Sequence, residues 1–384
     1  MDCEILFEAI ENMEDEYLDI LEEVCCIESP TDYKAGVDAV GKYFMDFAQK
    51  QGWEIEVFPQ EISGDAICIT MNPSSDKAPV CLSGHMDTVF PVGMFKVPII
   101  KRDEEKMYGP GVLDCKGGIV AAVMAMVSLE KCGFDKCPVK LILQSDEENG
   151  SKSSKKETIK YMCKIAEGAR FFLNLEGYIK DSAVLGRKGI RQFRFDITGK
   201  AAHSSRCYNG ANAIAEAAHK ILMLEEFKDM ESVTCNCGVI NGGTVANSVA
   251  QNCSFTADFR YKTDEQKEFI DRKVEEILQN CVIDGCECKA EIINSRPPME
   301  YSLRNVELLN MMNDVYAKNN MPVLSQRFST GGSDAAYITQ AGVPCVDSIG
   351  TSGGLLHSED EFIYLSSLKE SAKRIASVIY SIQE

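Results

Sequence analysis

The chain alternates short apolar runs with longer segments whose hydrophobic residues recur at helical spacing. Apolar runs that predict strands lie at residues 55–58, 66–70, 79–83, 139–143 and 171–175. Helical spacing predicts helices over residues 3–29, 35–51 and 118–131. Strands that alternate with helices in this way favour an α/β layer with a largely parallel sheet.

In the middle of the chain the pattern changes from buried runs to strict alternation. Phe193, Phe195 and Ile197 occupy every second position of residues 189–198, which is typical of a half-exposed antiparallel strand. Further strands are predicted near residues 233–240, 254–261 and 289–294, and helices near residues 211–226 and 264–280. The resulting order of strand, helix, strand, strand, helix, strand suits a ferredoxin-like α+β module.

The α/β pattern resumes after this segment, with a strand at residues 343–347 and helices near residues 305–319 and 366–381. We therefore predict one α/β domain formed by residues 1–183 and 295–384. It is interrupted by an inserted domain over residues 184–294, a length that is ordinary for a domain.

Residues that can bind metal follow three of the predicted strands directly. His85, the pair Glu147-Glu148 and Glu176 each come shortly after an apolar run. In open α/β sheets, functional sites form beyond the carboxyl ends of the strands. We expect these side chains to gather at one edge of the sheet.

Histidine nitrogen and carboxylate oxygen are ligands that suit zinc in an open catalytic site. Hydrolysis by paired metals also needs a carboxylate that bridges two cations and a base for the attacking water. The candidates are His85, Asp114, Glu148, Glu176 and His357 as ligands, with Glu147 beside one of them. Asp87 lies two residues after His85 and can fix the orientation of its imidazole.

Outside such a set, the same residues have simpler interpretations. An acidic pair such as Glu147-Glu148 is usually exposed, and a lone histidine is usually a surface or core residue. The acidic run at residues 358–361 is interpreted as a solvated face, although Ser358 and Glu359 must lie near the metal if His357 does.

Charge and composition exclude several classes of function. The net charge of −19 disfavours nucleic acid and anionic membrane surfaces, because both require a basic surface. The acidic N-terminal stretch lacks the basic and apolar regions of a secretory signal, and no segment approaches the length of a membrane span. A cytoplasmic location is expected.

Seventeen cysteines are an unusually high number for 384 residues. The Cys-x-Cys pairs at Cys235 and Cys237 and at Cys286 and Cys288 suggest a zinc–thiolate site, but structural zinc usually requires two matched pairs with wider spacing. Reduced, mostly buried thiols in a reducing compartment are the favoured interpretation.

The candidate ligands lie in ordered sequence motifs: Ser-Gly-His-Met-Asp-Thr-Val-Phe-Pro (83–91), Gly-Pro-Gly-Val-Leu-Asp-Cys-Lys-Gly-Gly (109–118) and Asp-Glu-Glu-Asn-Gly-Ser (146–151). These stretches resemble the first three motifs of the M20 family of metallopeptidases, and His357 matches its late histidine. The family includes acetylornithine deacetylases and succinyl-diaminopimelate desuccinylases. Residues 329–337 make the chain resemble the glutamate carboxypeptidases most.

The resemblance implies a role for each candidate residue. Asp114 would bridge two Zn²⁺ ions, for which Co²⁺ or Mn²⁺ can substitute, with His85 and Glu176 on one ion and Glu148 and His357 on the other. Glu147 would be the general base, and a cis peptide would follow Asp114. Many members have Asp where this chain has Cys115, a position that is not a ligand.

The resemblance also implies that the insertion is a lid and dimerisation domain. His203, in Gly-Lys-Ala-Ala-His-Ser-Ser (199–205), would stabilise an oxyanion in the site of a neighbouring subunit, although the same stretch could form a helix-capping turn. Asn247, Arg260 and Arg187 would contact the substrate carboxylate, although either arginine could instead form a salt bridge. Gly331 and Gly332 would supply backbone donors.

Together these inferences predict a homodimeric two-zinc hydrolase. It would cleave a C-terminal peptide bond or an N-acyl amide bond in a small carboxylate-bearing substrate, such as a small peptide or an N-acyl amino acid. A glutamate at position 176 is commoner in the carboxypeptidase and aminoacylase types of the family. A dipeptidase or tripeptidase and a non-catalytic metal-binding interaction protein remain as alternatives.

Overall fold

The computed structural model describes residues 3–179, 181–227 and 232–382, which form two compact units. The first unit comprises Met1–Leu185, Tyr301–Phe328 and Ser333–Glu384. The second unit comprises Gly186–Glu300 and Ser329–Gly332, where the sequence indicated an insertion over residues 184–294.

The helices and strands are numbered along the chain. The α-helices are α1 (Glu4–Glu11), α2 (Glu14–Cys25), α3 (Lys34–Gln51), α4 (Lys116–Lys131), α5 (Glu157–Ala166), α6 (Ala213–Glu225), α7 (Asp264–Gln279), α8 (Leu303–Lys318), α9 (Ala335–Gln340) and α10 (Leu365–Tyr380). The strands are β1 (Glu54–Phe58), β2 (Ala66–Met71), β3 (Val80–His85), β4 (Lys101–Arg102), β5 (Lys106–Tyr108), β6 (Val139–Gln144), β7 (Phe171–Asn174), β8 (Ser182–Arg187), β9 (Gly189–Thr198), β10 (Thr234–Gly242), β11 (Asn252–Tyr261), β12 (Glu287–Arg296), β13 (Ser325–Ser329), β14 (Cys345–Val346), β15 (Gly353–Gly354) and β16 (Phe362–Tyr364).

The first unit is built on a six-stranded sheet with the order β1-β2-β6-β3-β7-β14. Strand β3 pairs in parallel with β6 and β7, and β14 pairs in parallel with β7. The pairs β1–β2 and β2–β6 are antiparallel. The sheet is therefore mixed and mostly parallel, as the pattern of buried runs predicted.

Helix α4 fixes the centre of the first unit. Its residues are buried almost without interruption from Lys116 to Leu129, because it lies between β3 and the helices α1, α2 and α10. A helix that is apolar all round is expected only in such a core position. Its first turn directly follows Asp114, so the core also positions this candidate ligand.

The single helix predicted over residues 3–29 is wrong. The structure has two helices, α1 and α2, which are separated at Asn12 and Met13. Each helix has its own apolar face, and the break lets both faces pack into the same core cluster. The sequence also gave no indication of β4, β5, β15 and β16, since strands of two or three residues are too short to show an alternating pattern.

The second unit contains a four-stranded antiparallel sheet with the order β10-β11-β9-β12. Its elements follow the chain as β9, α6, β10, β11, α7, β12, with a 3₁₀ helix at Ser204–Asn209 before α6. Phe193, Phe195 and Ile197 are buried in a separate hydrophobic cluster beneath the two helices. In the part of the chain that is described, no helix is long and apolar enough to cross a membrane.

Gly118 provides a test of how closely α4 packs against the backbone of Leu175. In an ordinary helix, replacing glycine with alanine stabilises the fold by about 0.5–1 kcal/mol. Here a Cβ atom would lie 2.1 Å from the carbonyl oxygen of Leu175, next to Glu176. We expect Gly118→Ala to destabilise the protein in urea unfolding, whereas Lys131→Ala at the exposed end of α4 changes little. A higher unfolding midpoint for Gly118→Ala would contradict this close contact.

Candidate metal centre

His85 is the last residue of β3, and its side chain is 2% exposed. Its Nδ1 atom lies 3.0 Å from the carbonyl oxygen of Asp87 and 3.4 Å from Asp87 Oδ1. Its Nε2 atom lies 3.1 Å from Asp114 Oδ1 and 3.9 Å from Glu176 Oε1. The Nδ1 contacts orient the ring so that Nε2 faces the two carboxylates.

His357 contacts the other oxygen of the same aspartate. Its Nε2 atom lies 3.0 Å from Asp114 Oδ2 and 3.4 Å from Glu148 Oε2. The side chain is 54% exposed, in contrast to the buried His85. Asp114 therefore has one histidine on each of its two oxygens.

Two groups of three metal-binding side chains result from this arrangement. One consists of His85, Asp114 and Glu176, and the other of Asp114, Glu148 and His357. Within each group the ligand atoms all lie within 4.8 Å of one another. The structure thus brings together all five residues that the sequence analysis named as ligands, with Asp114 shared between the groups.

Asp87 anchors the turn that carries the two adjacent glutamates. Its Oδ1 and Oδ2 atoms accept the backbone N–H groups of Glu147 (3.2 Å) and Glu148 (3.1 Å), and Oδ2 also accepts the Thr31 hydroxyl (2.7 Å). The Asp87 carboxylate is completely buried. The spacing from His85 predicted only a contact of Asp87 with the imidazole, and its contacts with the glutamate turn become visible only in the structure.

The interpretation of residues 358–361 as a solvated face is wrong for Glu361, which is 1% exposed. Its Oε1 atom accepts the backbone N–H groups of Leu113 (2.8 Å) and Asp114 (3.0 Å). Burial and the nearby Asp114 raise the pKa of Glu361 to about 8. Glu361 holds the backbone that carries the shared aspartate, a contact with no signal in the local sequence pattern.

The role of Glu361 can be tested with two variants of similar size. Glu361→Leu removes the acceptor of two N–H groups, and a buried donor left without an acceptor costs about 1–3 kcal/mol. We expect a loss of at least that size in the free energy of unfolding, measured with urea. Glu361→Gln keeps an oxygen acceptor and should lose less. Equal stability of both variants and the wild type would show that the anchor is unimportant.

The carboxylates of the centre are crowded, and their pKa values reflect it. Burial raises the pKa of Glu148 to about 7. Burial also acts to raise the pKa of Asp114, but hydrogen bonds with His357 and His85 outweigh it and hold that pKa well below its usual range. Hydrogen bonds to Asp114 and Glu148 raise the pKa of His357 to about 10. Positive charge is thus strongly favoured here, and the nitrogen and oxygen donors fit a divalent cation.

The peptide bond between Asp114 and Cys115 is cis, as the resemblance implied. The Cys115 thiol is buried and accepts the backbone N–H of His85 at 3.1 Å. Burial raises the pKa of this thiol to about 12. Because a nucleophilic cysteine requires a thiolate, these facts argue against Cys115 as a nucleophile.

Of the site residues predicted in the insertion, His203 and Asn247 lie on adjacent loops of the second unit. The Ser204 N–H donates to the carbonyl oxygen of Asn247 at 3.0 Å. His203 is exposed and caps the 3₁₀ helix, since its Nδ1 atom accepts the Ser205 N–H at 3.2 Å. The capping turn considered from the sequence is therefore present. Because Nδ1 is an acceptor, the ring proton is on Nε2, so the capping contact leaves Nε2 as a donor.

The two arginines have different surroundings within the second unit. Arg260 forms a two-pronged ion pair with Asp258, with N···O distances of 2.7 and 3.0 Å. The guanidinium of Arg187 lies 3.4 Å from the carbonyl oxygens of both Gly331 and Gly332. The structure thus brings Arg187 together with the two glycines, and it contains the salt bridge that was the alternative for Arg260.

A shared carboxylate between two ligand groups, at the strand ends of an α/β sheet, is typical of metal-dependent hydrolases. The chain belongs to peptidase family M20/M25/M40, whose sequence model matches residues 81–381. The family predicted from the motifs is confirmed. The protein is accordingly a hydrolytic enzyme of a family with peptidase and deacylase members.

Individual relatives agree with this assignment. The chain is 25% identical to carboxypeptidase G2 of Pseudomonas sp. (strain RS-16), over 98% of this chain and 92% of that protein. It is 24% identical to the acetylornithine deacetylase of Myxococcus xanthus, over 73% of this chain and 74% of the deacetylase. The structure of aminopeptidase PepT from Bacillus cereus matches with a TM-score of 0.77 at 20% identity, covering 95% of this chain and 98% of the other, and shows that the fold is shared.

Proposed function

We propose that this protein is a two-zinc amidohydrolase of the carboxypeptidase or deacylase type. Asp114 carries the proposal, because it belongs to both ligand groups and its carboxylate could therefore bridge two cations. His85 and Glu176 would complete the ligands of one zinc ion, and Glu148 and His357 those of the other. Bound zinc lowers the pKa of a coordinated water and polarises the carbonyl of the substrate.

Glu147 is proposed as the general base. It is adjacent to the proposed ligand Glu148 and is 8% exposed, and its backbone N–H donates to the Asp87 carboxylate. In this role its carboxylate takes a proton from the attacking water and passes it to the leaving amine nitrogen. Its burial and its position next to the ligand Glu148 support this role.

The full-length similarity to a carboxypeptidase supports a substrate with a free carboxylate. Arg187, Asn247 and Arg260 are proposed to contact that carboxylate, and Gly331 and Gly332 to supply backbone donors. Asp258 holds the guanidinium plane of Arg260 in one orientation, which would help a planar contact with a carboxylate.

We also propose a homodimer formed through residues 184–294, in which His203 donates from Nε2 to the oxyanion in the partner's site. His203→Ala and Glu147→Gln should each be inactive alone. After mixing and reassociation we expect about a quarter of wild-type activity, since half of the dimers are mixed and each has one complete site. Activity that stays absent in verified mixed dimers would contradict a shared site.

A metal and substrate panel tests the proposed function. Protein prepared without chelators should contain at least two zinc ions per chain. Removing them should abolish hydrolysis, and Zn²⁺, Co²⁺ or Mn²⁺ should restore it. Peptides with C-terminal glutamate and N-acyl amino acids should be cleaved faster than unmodified dipeptides and tripeptides. Preference for the unmodified peptides would favour a dipeptidase or tripeptidase, and less than one zinc ion per chain would exclude the paired site.

A further inference from the structure

The second unit contains a third group of side chains that could hold a metal ion, formed by Glu225, Cys235 and Cys237. Their ligand atoms also lie within 4.8 Å of one another. Cys235 and Cys237 are two residues apart on β10, so both side chains lie on one face of the strand. Glu225 is the last residue of α6, and its carboxylate accepts the Cys237 N–H at 3.1 Å.

The chemistry of this group differs from that of the centre around Asp114. Two thiols and one carboxylate favour a thiophilic cation, because thiolate sulfur is a soft ligand that selects zinc and its heavier relatives. Cys235 is 5% exposed and Cys237 is half-buried, so one side of the group is open to solvent. A solvent molecule could complete a tetrahedral set from that side.

The position of the group at the end of α6 favours a cation independently of the ligands. The C-terminal carbonyls of a helix carry partial negative charge, which attracts cations. Basic residues often occupy the last turn for this reason, but the last turn of α6 contains none. A cation bound here would connect the end of α6 to the start of β10.

We propose that Glu225, Cys235 and Cys237 form a binding site for a thiophilic divalent cation such as Zn²⁺ or Cd²⁺. Binding releases the two thiol protons to solvent and forms two metal–sulfur bonds and one metal–oxygen bond. The site would stabilise the second unit, because a ligand that binds only the folded state shifts the unfolding equilibrium. The Cys-x-Cys pair at Cys235 and Cys237 would thus be a functional motif rather than two passive thiols.

The other Cys-x-Cys pair supplies a matched control. Cys286 and Cys288 have the same spacing and lie beside or on β12 in the same unit. Within residues 3–179, 181–227 and 232–382 they are not part of any group of three metal-binding side chains. The proposal therefore predicts different behaviour for two pairs with the same local sequence pattern.

Cadmium titration of the reduced full-length protein tests the proposal, because the ultraviolet cadmium–sulfur charge-transfer band reports thiolate ligands only. The centre around Asp114 contributes nitrogen and oxygen ligands and gives no such band. We expect one band-forming cadmium ion per wild-type chain. Cys235→Ser and Cys237→Ser should each remove most of the band, and Glu225→Gln should weaken cadmium binding roughly tenfold or more. The double variant Cys286→Ser/Cys288→Ser should retain it.

The same samples reveal whether a variant has simply failed to fold. Circular dichroism melting without metal should be nearly the same for wild type and variants, and cadmium should raise the melting temperature more in the wild type than in Cys235→Ser. An unchanged band in Cys235→Ser and Cys237→Ser would overturn the proposal, as would equal loss of the band in the Cys286→Ser/Cys288→Ser control. Because the readout does not involve hydrolysis, its result is independent of the proposed enzymatic function.

Discussion

Glu147→Gln is expected to lower kcat by roughly 10²–10⁴-fold, the usual contribution of general acid–base catalysis, while zinc content stays at the wild-type level. The amide keeps the shape of the side chain but cannot accept the proton of the attacking water. The backbone contact of residue 147 with Asp87 does not depend on the side chain, so the turn should keep its position.

Glu148→Gln is the matched control, one residue further along the same turn. Glu148 lies 3.4 Å from His357 Nε2 and belongs to a ligand group, so its variant should lose metal as well as activity. Parallel measurement of zinc content and kcat separates the two roles. If Glu147→Gln lost zinc as Glu148→Gln does, or kept wild-type turnover, Glu147 would not be the base.

Asp114→Asn is expected to have the largest effect on the metal centre. Both carboxylate oxygens have a histidine nitrogen within about 3.1 Å, and the residue is shared by the two ligand groups. An amide offers one oxygen and a nitrogen donor, so it cannot bridge two cations. Zinc content should fall by more than one ion per chain relative to the wild type, and hydrolysis should fall to background.

Asp360→Asn is the control for this change, since Asp360 is an exposed aspartate three residues after His357. It should retain the zinc content and activity of the wild type. Stability adds a second readout, because loss of bound zinc removes its stabilisation of the folded state. Addition of zinc should therefore raise the unfolding midpoint of Asp360→Asn more than that of Asp114→Asn. A zinc content of Asp114→Asn equal to that of Asp360→Asn would refute the bridging role.

Part of the candidate site could be predicted from local pattern alone. Buried runs of aliphatic residues predicted β3, β6 and β7, and the polar residues after these runs predicted that His85, Glu148 and Glu176 would lie near one another. This works because parallel strands bring their carboxyl ends to the same edge of a sheet. Asp114 and His357 follow no predicted strand, and the motif resemblance alone brought them into the set.

Other features depended on neighbours that are distant in sequence. Glu361 lies in an acidic run whose local pattern indicates a solvent-exposed surface. Its side chain is nevertheless buried and accepts hydrogen bonds from the backbone N–H groups of Leu113 and Asp114. Hydrophobic periodicity predicted one continuous helix over residues 3–29, because it reports only which positions are apolar. The break at Asn12 and Met13 depends on how the two helices pack into the core.

The sequence by itself determined the α/β class, the metal-binding chemistry and the family, because strand burial and ordered motifs are local properties of the chain. Only the tertiary structure decided that Asp114 is shared by both histidines and that Asp87 and Glu361 hold the surrounding backbone. It also decided that Cys235 and Cys237 meet Glu225, whereas Cys286 and Cys288, with the same spacing, belong to no such group among the residues that the structure describes. The physical reason is that ligand groups and buried hydrogen bonds depend on distances between atoms far apart in the chain, which folding alone sets.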